Sequence, residues 1–321
     1  MNARVTPILP LALALTGCGG KLDAGYDVPH GALPVDERSA VVMINDGARD
    51  NWQGEYAALL ASTGQLRLRG LIVNSSAEYP SVETNVLNFR EMLWAARESG
   101  LEHLPEATAS IAPALTRPAN GTIEDTVPNG SEGARLILDA AAAHGTAVHP
   151  LAIATGGALT DVADAYLLDP TVADRVVVVA SLGQTAGEGA QTFEPNGNRD
   201  SWATTIVVSR MRYVQVNGYY DQLLDVPETR AAELPNNPFG RWMADKRADI
   251  LNLLQACDQI SVLAVALPWF ASDVSRMRPD TDKATFLVAD AAGPVWHVAE
   301  VESSRARDEI WTRLKASATF R

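Results

Sequence analysis

Three polar stretches in this chain each follow a run of residues suited to a buried strand, and together they hold most of its candidate chemistry. The first is Asn45-Asp46-Gly47-Ala48-Arg49-Asp50-Asn51, directly after Ala40-Val41-Val42-Met43-Ile44. The second is Thr155-Gly156-Gly157-Ala158-Leu159-Thr160-Asp161, after the apolar stretch 148–154. The third is a Gly-rich loop carrying Glu194, Asn196, Asn198 and Asp200. Asp46 and Asp50 lie four apart around a turn and, with Asn51, can present oxygens to one hard cation. Calcium takes such oxygens from carboxylates, amides and backbone carbonyls. Thr155 ends its strand before two glycines, so its carbonyl is expected to lack regular pairing and to be open to the same ion. The same residue types also make turns and helix caps.

The surrounding pattern says what must position these residues. Strands are predicted at 40–44, 66–73, 148–154, 175–180 and 212–216. The run Val176-Val177-Val178-Val179 suits a strand covered on both faces. Helical periodicity marks 52–62, 80–100, 131–144, 158–168 and 201–209, with Pro80 and Ser81 opening the second and Gly145 stopping the third. Residues 104–130 read as loop. Beyond about 218 the pattern is helical and less regular, with a hairpin expected from 284–288 and 295–301 and a closing helix at 305–315. This alternation predicts an α/β fold with an open, mostly parallel sheet, helices on both faces and a Rossmann-like core. In such sheets ligands bind at the carboxyl ends of the strands, near a reversal of strand order. All three polar stretches fall there.

Composition narrows the partners. The chain has 321 residues, of which 47% are hydrophobic, and a formal charge of −13. An acidic surface argues against nucleic acid or an anionic membrane surface as the main partner and is compatible with a small neutral ligand or a divalent cation. The N-terminus reads as an address. Arg4 precedes an apolar stretch, residues 5–15, that is short for a bilayer span, and Leu15-Thr16-Gly17-Cys18 follows. This is similar to the bacterial lipobox, in which the cysteine is acylated. Residues 1–18 are therefore read as a lipoprotein signal, 19–38 as a tether and 39–321 as one domain. The expected location is the bacterial cell envelope, on the periplasmic or extracytoplasmic face, with the membrane reached through the lipid anchor on Cys18. Cys257, the second cysteine, is then a lone thiol.

Taken together, the three stretches resemble the inosine–uridine-preferring nucleoside hydrolases. The first stretch matches that family's Asp-x-Asp-Pro-Gly-x-Asp-Asp loop after strand one. The second matches its Thr-Gly-Pro-Leu-Thr-Asn segment with one residue inserted. Glu194-Pro195-Asn196, followed by Asp200, matches its Glu-x-Asn loop. The match covers most of residues 40–270. The resemblance implies a calcium-assisted hydrolase that cleaves the N-glycosidic bond of a ribonucleoside or related riboside. It implies Asp46 as calcium ligand and general base, with Asn51, the Thr155 carbonyl and Ser261 as further calcium positions. It implies Asp50, Asn74, Glu194 and Asn196 as riboside-binding residues. Homo-oligomers are common in the family.

The chain also departs from that pattern. Ile44 stands in place of the first Asp, and Asn51 in place of the last. The family's late His-Asp-Pro-Leu-Ala segment reads Ile260-Ser261-Val262-Leu263-Ala264 here. A leaving-group histidine and a calcium carboxylate are thereby replaced, with Asp258 three residues away. His144, His149 and His297 are alternative acids that sequence alone reads as surface or capping residues. Tyr219, Tyr220 and Trp242 fall where the family covers its pocket and suit either base stacking or core packing. The leading expectation is a tethered hydrolase. The alternative is a catalytically degenerate lipoprotein that binds a ribosyl ligand.

Overall fold

The computed structural model describes residues 33–47, 53–75, 80–181, 196–216, 232–248, 259–267, 270–279 and 287–316. Strand β1 (Ala40–Asn45) leads into α1 (Gln53–Ser62), β2 (Arg67–Val73) into α2 (Val82–Glu98), and a short β3 (Ala107–Ala109) into α3 (Glu132–His144). Then come β4 (Leu151–Thr155), α4 (Thr160–Leu168), β5 (Val176–Ala180), α5 (Asn196–Arg199), α6 (Ser201–Arg210) and β6 (Arg212–Val216). The last third contributes α7 (Pro238–Ala248), α8 (Gln259–Ala266), β7 (Ala271–Pro279), β8 (Leu287–Ala289), β9 (Val295–Val301) and α9 (Ser303–Ala316).

These strands form one sheet in the order β3-β2-β1-β4-β5-β6-β9-β7-β8. Every neighbouring pair from β3 to β9 is parallel, and β7 runs antiparallel to both β9 and β8. The order runs outward from β1 in one direction and outward from β4 in the other. The reversal between β1 and β4 is where connections leave for opposite faces, the place where sheets of this kind form a ligand crevice.

Pleating explains why these strands are nearly continuous apolar runs. Successive side chains point to opposite faces. Val41 and Met43 of β1 and Val177 and Val179 of β5 pack under Leu59, Phe89, Phe239, Val262 and Trp311. Val42 and Ile44, with Val176 and Val178, pack on the other face under Ile137, Val162 and Ile206. Each such side chain removed from water contributes about 1.5–3 kcal/mol. Ile44 is therefore a core residue of the α3/α4/α6 face, which accounts physically for an apolar residue at that motif position. Helix starts are fixed by side chains, worth about 1 kcal/mol each. The Ser81 hydroxyl accepts from the Thr84 N–H at 3.2 Å, and the Ser131 hydroxyl from the Ala134 N–H at 3.0 Å.

The sequence reading needs two corrections. The stretch 104–130 is not all loop: Ala107–Ala109 pairs with the end of β2 as the edge strand. The expected hairpin of 284–288 with 295–301 does not form. Instead β7, in a region read as helical, lies between them and pairs with both. Gly145 ends α3 as expected, with φ −97°. Its glycine is required by space: an added Cβ would lie 2.5 Å from the Arg175 carbonyl oxygen and 3.0 Å from that of Ala141. Gly145→Ala is expected to destabilise the fold by about 1–3 kcal/mol, the usual range for forced overpacking, read as a lowered midpoint of chemical denaturation. An unchanged midpoint would mean that the α3–β4 connection yields.

Candidate active site

Asn45, Asp46, Asn74, Thr155 and Asn196 are all buried polar residues at the carboxyl ends of the central strands. Register makes this a shared rim. Ile72, Ile44, Thr155, Ala180, Gln215 and His297 are successive partners across β2, β1, β4, β5, β6 and β9. One step beyond, the Asn74 N–H donates to the Asn45 carbonyl at 3.1 Å, and the Gly156 N–H donates to that of Ile44 at 3.2 Å. The ladder thus carries Asp46, Asn74 and Gly156 to one level at the reversal. Gly157 lets them close on each other: a Cβ there would sit 3.1 Å from Asn74 Oδ1 and 3.5 Å from the Asp46 nitrogen.

The Asp46 carboxylate, 2% exposed, forms an ion pair with the Arg199 guanidinium, itself 16% exposed. Arg199 ends α5, and the next residue is a peg. Asp200 accepts from the Ala203 N–H (2.9 Å) to cap α6, and from the Thr160 hydroxyl (2.8 Å) and the Leu115 N–H (2.9 Å). Asn196, at the start of α5, donates its amide to the carbonyls of Gly156 and Ser181. The α5 turn is thereby tied to β4, β5 and α4, and Arg199 is delivered to Asp46.

Asn74 is placed similarly. Its amide nitrogen faces the Ala158 carbonyl at 3.4 Å, and its own carbonyl accepts from the Asn85 amide at 3.0 Å. Its Oδ1 is buried with no hydrogen-bond partner among the described residues. An unsatisfied buried acceptor costs about 1–3 kcal/mol and marks a place where a ligand donor would be stabilised.

Ser261 is fully buried in α8, and a relay leads to it from β1. The Asn45 amide donates to Gln53 Oε1 at 2.6 Å, and the Gln53 amide donates to the Ser261 hydroxyl at 2.9 Å. The Asn45 Oδ1 accepts from the Gly47 N–H at 2.7 Å, which fixes the turn before Asp46 is presented. Gln53 and Arg199 were not singled out from sequence. A glutamine opening a mostly apolar helix is the signal for the first.

The Thr155 carbonyl departs from expectation. It accepts from the Ser181 N–H at 2.9 Å and so continues the β4–β5 ladder, because Ser181 extends the strand line. Asp50, Asn51, Glu194, Tyr219, Tyr220, Asp258, Cys257 and Cys18 lie outside the described residues. Ile260 is in α8. His144 and His149 are exposed, as expected, but His297 is buried, on β9. It stands three strands from Thr155, about 14 Å at the usual strand spacing. Burial lowers its pKa below the ordinary histidine value, against an opposing pull from Asp273. Its place on β9 keeps it away from the ends of β1 and β4. Trp242 is partly buried against the hydrophobic core.

Of the positions the resemblance implies for calcium, Asp46, Thr155 and Ser261 are described and Asn51 is not. Among the described residues no three His, Cys, Asp or Glu side chains are grouped to hold a metal. The Asp46 carboxylate is ion-paired with Arg199, and the Asn196 amide nitrogen donates to the Gly156 and Ser181 carbonyls.

No family model matches the chain, and no curated protein matches it in sequence. Solved structures do. A purine-preferring ribonucleoside hydrolase from Gardnerella vaginalis superposes with a TM-score of 0.61 at 15% identity, covering 88% of this chain and 100% of that one. The fold is that of the nucleoside hydrolases. An inosine–uridine preferring nucleoside hydrolase from Bacillus anthracis gives a TM-score of 0.63 at 16% identity, covering 87% and 99%. A nucleoside hydrolase-related protein from Saccharophagus degradans, associated with carbohydrate metabolism, gives 0.57 at 12% identity, covering 88% and 72%.

Beside the crevice lie carboxylates whose work is structural. Asp164 accepts from the N–H groups of Asn129 (2.7 Å) and Ser131 (2.7 Å), pinning the long β3–α3 connection to α4. Fully buried Asp161 accepts from the hydroxyls of Ser110 and Ser131. Burial raises its pKa, opposed by those hydroxyls and by the Asn74 amide. A raised folded-state pKa means stability that is full below the unfolded carboxylate value and lost as pH rises through the folded value. Asp161→Asn, whose carbonyl can still accept both hydroxyls, is expected to flatten that decline. Denaturation midpoints across a pH series check it, and an unchanged slope would assign the decline to other groups.

Proposed function

We propose that this chain hydrolyses the N-glycosidic bond of a ribonucleoside or related riboside, in the crevice between β1 and β4. The observation that supports it most is the meeting of Asp46, Asn74 and Asn196 at the strand-order reversal of a nucleoside hydrolase fold. In the reaction, water attacks the anomeric carbon and the carbon–nitrogen bond breaks. The new C–O bond leaves a proton that Asp46 accepts as general base. The transition state is oxocarbenium-like, and a carboxylate facing the sugar stabilises its developing positive charge. Asn74 Oδ1 accepts a sugar hydroxyl proton and so gains the donor it lacks. Asn196 holds the rim of the pocket, and Asp50 and Glu194 are assigned to the sugar hydroxyls. The leaving nitrogen takes its proton from solvent, since position 260 carries isoleucine.

A second reading is capture of the riboside without turnover. The Asp46–Arg199 pair favours it, because a carboxylate engaged by a guanidinium is a weaker proton acceptor. In both readings residues 39–321 form the working domain, tethered to the cell envelope by a lipid on Cys18.

The test is hydrolysis by the full-length chain of inosine, uridine and a nitrophenyl riboside, whose leaving group needs no proton. The nitrophenyl compound is expected to turn over fastest, and Asp46→Asn to lower the rate by about 10²–10⁴. Saturable binding of ribose without turnover of any of the three would select the capture reading. Neither binding nor turnover would reject a riboside site.

A further inference from the structure

Asp161 is fully buried at the start of α4, and its two oxygens are used differently. Oδ1 accepts from the hydroxyls of Ser110 and Ser131. Each of those hydroxyls already accepts a main-chain N–H, Ser110 from Gly133 at 3.1 Å and Ser131 from Ala134 at 3.0 Å, so each turns its own proton to the carboxylate. Oδ2 is buried with no direct hydrogen-bond partner among the described residues. The Asn74 amide lies close enough to this carboxylate to oppose the rise in pKa that burial causes. The Asn74 nitrogen also faces the Ala158 carbonyl, three residues before Asp161. Oxygens therefore face the nitrogen end of Asn74, and turning the amide over would set its own oxygen against them, which decides the two ends of the group. Asn74 Oδ1 stands beside Gly157, where an added Cβ would lie 3.1 Å from it and 3.5 Å from the Asp46 nitrogen. It is the buried acceptor that has no hydrogen-bond partner among the described residues.

We infer that Asp161 is a positioning residue for the sugar: its carboxylate holds the Asn74 amide nitrogen inward, and Asn74 thereby presents an acceptor, and no donor, to the crevice. The inference rests on the reading that a riboside occupies the crevice. Asp161 touches no sugar atom and acts through Asn74. An acceptor in that place selects a hydroxyl, which brings a proton to it. Fluorine in place of that hydroxyl brings only lone pairs and leaves Oδ1 unsatisfied. A side chain that offered an N–H where Asp161 Oδ2 stands would reverse the preference. Asn74 would turn its carbonyl to that donor and its NH2 group to the crevice, where a hydroxyl or a fluorine can face it. Asp161→Asn makes this change and keeps the anchor of the β3–α3 connection, because its carbonyl still accepts both serine hydroxyls. The difference lies in the orientation of one amide, so it is read in the choice of ligand.

Calorimetric titration of the full-length chain with ribose, 2-deoxy-2-fluororibose and 3-deoxy-3-fluororibose tests this. The unaltered chain is expected to bind one of the two fluoro sugars about tenfold more weakly than ribose, the cost of a buried acceptor left without its donor. Asp161→Asn is expected to keep ribose affinity within about threefold, since a hydroxyl also accepts from an NH2 group, and to lose most of the fluoro penalty. Asn74→Ala is expected to remove the penalty as well, and Asp161→Asn added to it to change the ratio no further. Should Asp161→Asn fail to fold, Asp161→Ser, which withdraws the second oxygen, is titrated in its place and must also lose the penalty. Ribose binding with the same fluoro penalty in the unaltered chain and the Asp161 variant, or with no penalty in the unaltered chain, would overturn the inference and leave the riboside reading standing. Absence of ribose binding by the unaltered chain would instead defeat the riboside reading, and the role of Asp161 with it.

Discussion

A carboxylate held away from water is stable as an anion only beside a compensating charge, since moving an ion into the interior costs several kcal/mol even after relaxation. Asp46 is in that position at the end of β1, and Arg199 meets it from a turn more than 150 residues later in the chain. Much of the surrounding architecture follows from holding those two together. The β1–β4 ladder sets the height of Asp46. The Asn196 amide and the Asp200 carboxylate clamp the short α5 turn from both ends. Gly157 keeps a side chain out of the space where β1, β2 and β4 end.

The same economy of space explains which polar residues are structural. Asp161, Asp164 and Asp200 are as buried as Asp46, yet each is engaged by hydroxyls or main-chain N–H groups that anchor a connection. The Asn45–Gln53–Ser261 relay joins β1 to α8 across the face opposite Ile44. Motif positions that would be acidic in the resembled family are here taken over by packing, at Ile44, or by a neutral hydrogen-bond chain, at Ser261.

The strand–helix alternation up to β6 was legible in sequence because continuous apolar runs such as 176–179 suit only strands covered on both faces. The rim was legible for the same reason: polar residues directly after such runs must emerge at the carboxyl ends. What sequence did not disclose depended on distant partners. Ala107–Ala109 is too short to show a pattern and becomes a strand through pairing with β2. β7 mixes Asp, Ser and Arg with apolar residues and is stabilised by two antiparallel neighbours. Arg199 sits in a loop of ordinary polarity, and nothing local distinguishes it from a solvated arginine. Its role arises from a turn fixed by contacts to four other segments.

The most direct test of this account is a crystal structure of the full-length chain grown with ribose and calcium together. The account expects sugar hydroxyls within hydrogen-bond distance of Asp46 and Asn74 Oδ1, at the ends of β1 and β2. A sugar bound elsewhere on the sheet, away from Asp46, would contradict it.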